Sequence, residues 1–120
     1  MSRVNQLENE YRRIDSTADK LFAEFRRTGK RNISEEAEIS KKIKELETDA
    51  RMLDDTLDQS VYNLKKVIAT NCSQFEKVAR SGDGRAARSI ASKIIDQSSQ
   101  ISQMIELGNK VEKLYERKLR

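Results

Sequence analysis

The chain has 120 residues, of which 37% are charged, 36% are hydrophobic and only 5% are aromatic. So few apolar residues cannot fill a thick globular core, but they can form narrow seams between long helices. Proline is absent, so no proline interrupts a helix, and this length is typical of one domain. The composition predicts a single all-α domain over residues 1–120.

Charge and missing residue types exclude several functions. The formal net charge is +4, the only cysteine is Cys72, and histidine is absent. An internal disulfide, a Cys/His zinc site and a histidine-based catalytic centre are therefore excluded. No run of about 18 apolar residues marks a transmembrane helix. We expect a cytoplasmic protein that can lie peripherally on membranes, is not an enzyme, and uses no cofactor, metal or small-molecule substrate.

Apolar residues at steps of three and four predict a first helix over residues 3–28. They are Val4, Leu7, Tyr11, Ile14, Ala18, Leu21 and Phe25. Residues 28–32 indicate a break, in which Gly29 can end this helix and Asn32 or Ser34 can cap the next one.

A long second helix is predicted over residues 34–80. Its first half has heptad spacing in Ile39, Ile43, Leu46, Ala50, Leu53 and Leu57, and its second half has an eleven-residue repeat in Val61, Leu64, Ile68, Cys72, Phe75 and Ala79. The change predicts a new packing partner near residues 57–61 and places the Cys72 thiol in the core. Residues 69–73 form helix least readily, which predicts a bend there.

The third helix is predicted over residues 85–118. Its buried face is Ala87, Ile90, Ala91, Ile94, Ile101, Ile105, Val111, Leu114 and Tyr115, and to the side of it lie Ile95, Met104, Leu107 and Leu119. This arc is too wide for one partner helix, so the four lateral residues are candidates for contact with another helix or for self-association. Gly108 within the helix indicates a close crossing or a hinge.

The second and third helices are predicted to form an antiparallel hairpin with its tip at residues 80–85. Gly82 and Gly84 tolerate the positive φ that such a reversal requires. Residues whose numbers sum to about 165 then lie side by side, which places Lys110 opposite Asp55 and Lys113 opposite Asp54. The predicted fold is an elongated antiparallel three-helix bundle dominated by this hairpin.

Basic residues form the only candidate binding sites. One group is Arg26, Arg27, Lys30 and Arg31, and the other, around the tip, is Lys77, Arg80, Arg85, Arg88 and Lys93. Both groups are explained either as solubilising charge or as contacts to anionic lipid headgroups. Nucleic acid is not expected as a partner, because no aromatic residues accompany the basic ones to stack bases.

Three segments carry a resemblance to a known family. Residues 57–64 (Leu-Asp-Gln-Ser-Val-Tyr-Asn-Leu), 75–83 and 85–95 resemble the core hairpin of ESCRT-III, the charged multivesicular body proteins, within residues 53–118. Ala87, Ala91 and Lys93 approximate the Ala-x-x-x-Ala-Lys-like segment of its return helix. The resemblance implies membrane-remodelling polymers of packed hairpins, with lipid-facing roles inherited by Lys65, Lys66, Lys77 and Arg80.

A second resemblance is to the N-terminal three-helix domain of SNARE proteins, in helix count and total length. Residues 8–25, the stretch 39–64 and the closing helix fit that plan, which implies a regulatory bundle. A third alternative is a cytosolic coiled-coil adaptor or secretion chaperone without lipid affinity. We predict a non-enzymatic assembly module in membrane trafficking or remodelling that self-associates or binds partner helices.

Overall fold

The computed structural model describes residues 3–26, 33–114 and 116. They form three helices, α1 (Arg3–Arg26), α2 (Ile33–Arg80) and α3 (Gly84–Leu114), in a body of 75 × 21 × 17 Å. The predicted all-α, elongated helical bundle is confirmed. Some predictions concern residues outside the described part of the chain. These are the Phe25 side chain, Arg27, Gly29, Lys30, Arg31, Asn32, Tyr115 and Leu119.

Helix α2 runs without interruption for 48 residues. At about 1.5 Å per residue it is about 70 Å long, close to the length of the whole body. Its first turn carries Glu35 and Glu36 and its last turn carries Lys77 and Arg80, so charges at both ends complement the helix dipole. Residues 69–73 are helical, so their low helix propensity is overridden by the packing of α2 against α3.

Gly82 ends helix α2 at the hairpin tip. Its φ of 84° lies in the left-handed region that glycine adopts readily. The Asp83 amide donates to the Val78 carbonyl over 3.3 Å, and the Gly82 amide donates to the Ala79 carbonyl over 3.2 Å. This pair of hydrogen bonds is the Schellman arrangement, which satisfies carbonyls left free at a helix end.

Asp83 is the N-cap residue that precedes helix α3. Its carboxylate oxygen Oδ1 accepts a hydrogen bond of 3.1 Å from the Ala86 amide, as a helix N-cap does. Gly84 is therefore the first residue of α3 and does not have a positive φ. The tip needs the conformational freedom of glycine at Gly82 only, where two flexible glycines were predicted.

Helix α1 lies antiparallel to α2 and covers half of its length. Arg13 near the middle of α1 pairs with Asp49 of α2, while Arg3 lies beside Thr56 and Lys20 beside Lys42. We call α1, residues 33–58 of α2 and residues 104–114 of α3 the base, and residues 59–103 the arm. The main apolar cluster lies in the base and contains Val4, Leu7, Ile14, Ala18, Leu21, Leu46, Ala50, Leu53, Leu57, Met104, Leu107, Val111 and Leu114.

The arm consists of two helices only. Its apolar seam residues are half-buried rather than buried, because no third helix covers them; they include Val61, Leu64, Ile68, Phe75, Val78, Ile90, Ile94 and Ile101. Ala87 is the one buried hydrophobic residue of the arm. The predicted change of packing near residues 57–61 therefore coincides with the place where α1 stops covering the hairpin.

The eleven-residue repeat predicted beyond Leu57 is wrong. The half-buried residues of α2 continue the heptad spacing, in which steps of three and four alternate. Asn71 and Val78 therefore occupy the seam where Cys72 and Ala79 were expected. Cys72 is exposed, not in the core. The seam tolerates Asn71 because its Nδ2 donates a hydrogen bond of 2.9 Å to Oε1 of Gln97, which lies in the seam of α3.

Two lateral residues of α3 are core residues. Met104 and Leu107 are only 1% and 3% exposed, because α1 packs over this side of the hairpin. Met104 and Leu107 were predicted to contact either a third helix or a second molecule. The helix α1 covers them, so the first alternative is confirmed and they are not exposed for self-association. Conversely, Ile105 was expected in the buried face and is 50% exposed, while Ile95 remains on the surface.

Replacing Gly108 with alanine is expected to stabilise the protein by about 1 kcal/mol, since glycine is that much less favourable within a helix. A Cβ atom built at Gly108 meets no atom within 4 Å, so the methyl group fits without strain and the predicted close crossing within this chain is absent. Urea denaturation of both proteins measures the difference. A destabilised variant would contradict the open environment of Gly108.

Candidate functional site

Two surfaces are candidates for function, and the first is the basic arm. Seven predicted anion-binding residues, Lys65, Lys66, Lys77, Arg80, Arg85, Arg88 and Lys93, are all exposed. The arm holds only three acidic residues, Glu76, Asp83 and Asp96. None of the seven basic residues is ion-paired to another described residue. Their charge is therefore available to an external anion.

The charge of the arm is concentrated at the tip. Lys77 and Arg80 occupy the last turn of α2, and Arg85 and Arg88 lie in the first turns of α3. The start of α3 has a positive dipole end that the N-cap carboxylate of Asp83 partly offsets, and Arg85 and Arg88 add two positive charges beside it. Lys65, Lys66 and Lys93 lie farther along the arm, and the Lys66 Nζ atom sits 4.5 Å from the centre of the Tyr62 ring.

The second surface is a groove between α2 and α3 on the face that α1 leaves uncovered. It consists of two adjoining cavities of ≈ 350 and ≈ 380 Å³ that share Asp54 and Glu112. We call it the acidic groove; it is lined by Ala50, Arg51, Asp54, Leu57, Asp58, Val61, Tyr62, Lys65, Met104, Ile105, Gly108, Asn109, Val111, Glu112 and Glu116. Leu57 and Gly108 on opposite walls confirm a register near the predicted sum of 165.

Carboxylates crowd the middle of the acidic groove. Burial raises the pKa of Asp54 above its ordinary value, and the neighbouring carboxylates of Asp58, Asp55 and Glu112 raise it further. The ion pairs predicted there do not form: Lys110 and Lys113 pair with neither Asp55 nor Asp54 among the described residues. The helices are rotated so that Glu112, rather than Lys113, lies near Asp54.

Replacing Asp54 with asparagine is expected to stabilise the protein at pH 7 and to have little effect at about pH 3, where aspartate is protonated even when unfolded. A raised folded-state pKa means that the ionised carboxylate opposes folding at neutral pH, and that this penalty disappears as the pH falls. Thermal unfolding at both pH values measures the effect, with exposed Glu76→Gln as the control. A stabilisation equal at both pH values would contradict the electrostatic cause.

The other polar cluster of the base has a structural role. The Arg13 guanidinium donates to Oε1 of Glu10 over 2.6 Å and to Oδ2 of Asp49 over 2.9 Å. These hydrogen bonds raise the pKa of Arg13, which is charged at every physiological pH in any case. The cluster therefore joins α1 to α2. Within the described residues, no group of three or more His, Cys, Asp or Glu side chains is arranged to hold a metal ion.

Part of the acidic groove escaped sequence prediction. Gly108 inside a predicted helix was the available signal, whereas Ile105 was predicted in the buried face and gave none. Among the described residues, no helix combines the length and apolar character needed to cross a membrane.

The chain matches no protein-family model, and no curated protein or solved structure matches it. The resemblances to ESCRT-III and to SNARE N-terminal domains therefore stay predictions.

Proposed function

We propose that this protein is a non-enzymatic helical assembly module that acts in the cytoplasm, peripherally on anionic membranes, in trafficking or remodelling. The observation that supports this proposal is the arm, a two-helix hairpin extending beyond α1 with seven exposed basic residues, none of them ion-paired to another described residue. The resemblance of residues 53–118 to ESCRT-III points to the same class of function.

The tip is the part of the arm best suited to a lipid surface. A basic residue near an anionic bilayer contributes roughly 1 kcal/mol, so four of them give a useful, salt-sensitive attraction. Lys77, Arg80, Arg85 and Arg88 lie within two helical turns of Gly82. Their proximity lets one end of a rigid rod touch a membrane while the base remains available to proteins.

A second candidate function is that of a protein-binding bundle without lipid affinity, as in a coiled-coil adaptor or a SNARE-type regulatory domain. The acidic groove favours this alternative, since its excess of carboxylates is repelled by an anionic membrane. The two candidates differ in whether the basic tip binds lipid.

Co-sedimentation with vesicles of 30% phosphatidylserine in phosphatidylcholine distinguishes the candidates. The wild type is expected to pellet, and a variant with Lys77, Arg80, Arg85 and Arg88 changed to glutamate is expected to lose at least about tenfold in vesicle affinity, because about 1 kcal/mol is lost per residue even before repulsion is counted. The matched control changes four exposed basic residues of the base, Lys20, Lys41, Lys44 and Lys110, to glutamate.

The control variant carries the same net charge as the tip variant but should retain most of its vesicle binding. Circular dichroism must show that both variants are as helical as the wild type. Equal pelleting of all three proteins, or no pelleting of any, would refute the membrane proposal and leave the protein-binding bundle.

A further inference from the structure

The walls of the acidic groove carry apolar side chains that no other described residue covers. Tyr62 and Ile105 are 54% and 50% exposed, above a base of Leu57 and Met104 that is already buried in the core. The described lining residues belong to α2 and α3, apart from Glu116 just beyond α3, and none belongs to α1. Exposed apolar side chains around a groove are typical of a protein-binding surface.

Gly108 of α3 lines the groove and has no side chain to project into it. A glycine within a helix lowers its stability, and the packing of this chain does not require one here, because no atom lies within 4 Å of a Cβ at this position. Glycine in such a place allows the backbone of another molecule to approach closely. Internal packing therefore does not account for glycine at this position, and the surface beside it is open to another molecule.

The charges of the groove select the kind of ligand. Its rim carries the carboxylates of Asp54, Asp58, Glu112 and Glu116 and only two basic residues, Arg51 and Lys65. Along α2 the groove extends from Ala50 to Lys65, which at about 1.5 Å per residue is about 22 Å, or four helical turns. These features match the apolar stripe of a helix that has basic residues on both sides of the stripe.

We propose that the acidic groove binds a basic amphipathic α-helix of a partner protein. The apolar side chains of that helix pack on Tyr62 and Ile105, its backbone approaches Gly108, and its lysines or arginines pair with the rim carboxylates. This partner class goes beyond the membrane contact of the tip and does not depend on it, since no tip residue lines the groove.

Fluorescence anisotropy with a labelled synthetic peptide tests the proposal. The probe is a helical peptide of about 18 residues, with leucines at positions three and four apart and lysines beside them, long enough to span four turns. A second peptide has glutamate in place of every lysine. The protein has a net charge of +4, so unspecific attraction disfavours the basic peptide and its binding reports a local site.

The basic peptide is expected to bind and the acidic peptide not to bind. Gly108→Leu, which fills the groove, and the double variant Asp58→Lys/Glu112→Lys should each weaken binding of the basic peptide at least tenfold. The control Glu24→Lys/Glu36→Lys reverses two exposed charges outside the groove and should bind like the wild type. Helical content by circular dichroism verifies that each variant is folded.

Absence of binding to the folded wild type, or equal binding by the groove variants and the control, would overturn the proposal. Sedimentation without peptide adds a further test. A dimer that Gly108→Leu dissociates would show that a second copy of this chain occupies the groove, which would also overturn it. Vesicle binding by the groove variants, and peptide binding by the tip variant, separate failure of this inference from failure of the membrane proposal.

Discussion

Replacing Leu57 with alanine is expected to lower the free energy of unfolding by about 2–5 kcal/mol, the usual cost of removing a fully buried leucine side chain. Leu57 is fully buried in the apolar cluster to which all three helices contribute. The helices are long and rigid, so they cannot close easily around the cavity left by the missing atoms. The cost should therefore lie above that of a typical surface substitution by severalfold.

Urea denaturation monitored by circular dichroism measures this loss, and Ile95→Ala is the matched control. Ile95 is 68% exposed on the arm, so its replacement should change stability by at most about 0.5 kcal/mol. A loss below about 1 kcal/mol for Leu57→Ala would mean that Leu57 does not lie in a packed three-helix core.

Replacing Ala18 with glutamate is expected to destabilise the protein by about 3 kcal/mol or more, because an unpaired charge would be buried. Ala18 lies on the face of α1 that packs on the hairpin and is completely buried. The new carboxylate reaches water only if α1 separates from the base. Helices in proteins owe most of their stability to tertiary packing, so released α1 should lose helical content.

Hydrogen exchange measured by mass spectrometry distinguishes separation of α1 from general unfolding. The Ala18→Glu variant should exchange rapidly in α1, whereas protection near the hairpin tip, farthest from α1, should change least. Ala23→Glu places the same side chain on an exposed position of α1 and should leave exchange and stability nearly unchanged. Equal behaviour of the two variants would contradict the position of α1 on the hairpin.

The helices and the reversal were predictable because their signals are local. Apolar spacing in α1 and in the first half of α2 gave Ile14 and Leu46 as core residues, and both are buried. Gly82 followed by Asp83 carries the chemistry of a helix end and of the next N-cap. Neither signal depends on how the helices rotate about their own axes.

Helix rotation is the reason why other predictions were wrong. Neighbouring residues lie about 100° apart around a helix axis. The rotation of the helix therefore decides whether Asn71 or Cys72 lies in the arm seam, and whether Met104 or Ile105 is buried in the base. Hydrophobicity favours Cys72, but Asn71 is accommodated by its hydrogen bond to Gln97, and such pairing across helices is invisible along one chain.

The basic arm and the acidic groove also differ in how far the sequence predicts them. Exposure of the basic arm residues was predictable, since lysine and arginine are seldom buried. The acidic groove was not, because Asp54 and Glu112 meet only after α2 and α3 take their relative rotation. Gly108 was a visible anomaly of the sequence, but its open surroundings required the structure.

Both candidate surfaces depend on the antiparallel hairpin of α2 and α3, and one spin-label distance tests whether it forms. Labels at Asp58→Cys and Glu106→Cys in a Cys72→Ser background, diluted with unlabelled protein, report the separation within one molecule. Adjacent helices pack 8–10 Å apart, so with label arms a distance of roughly 15–25 Å is expected. A single continuous helix would separate the labels by roughly 70 Å, and that result would contradict the fold.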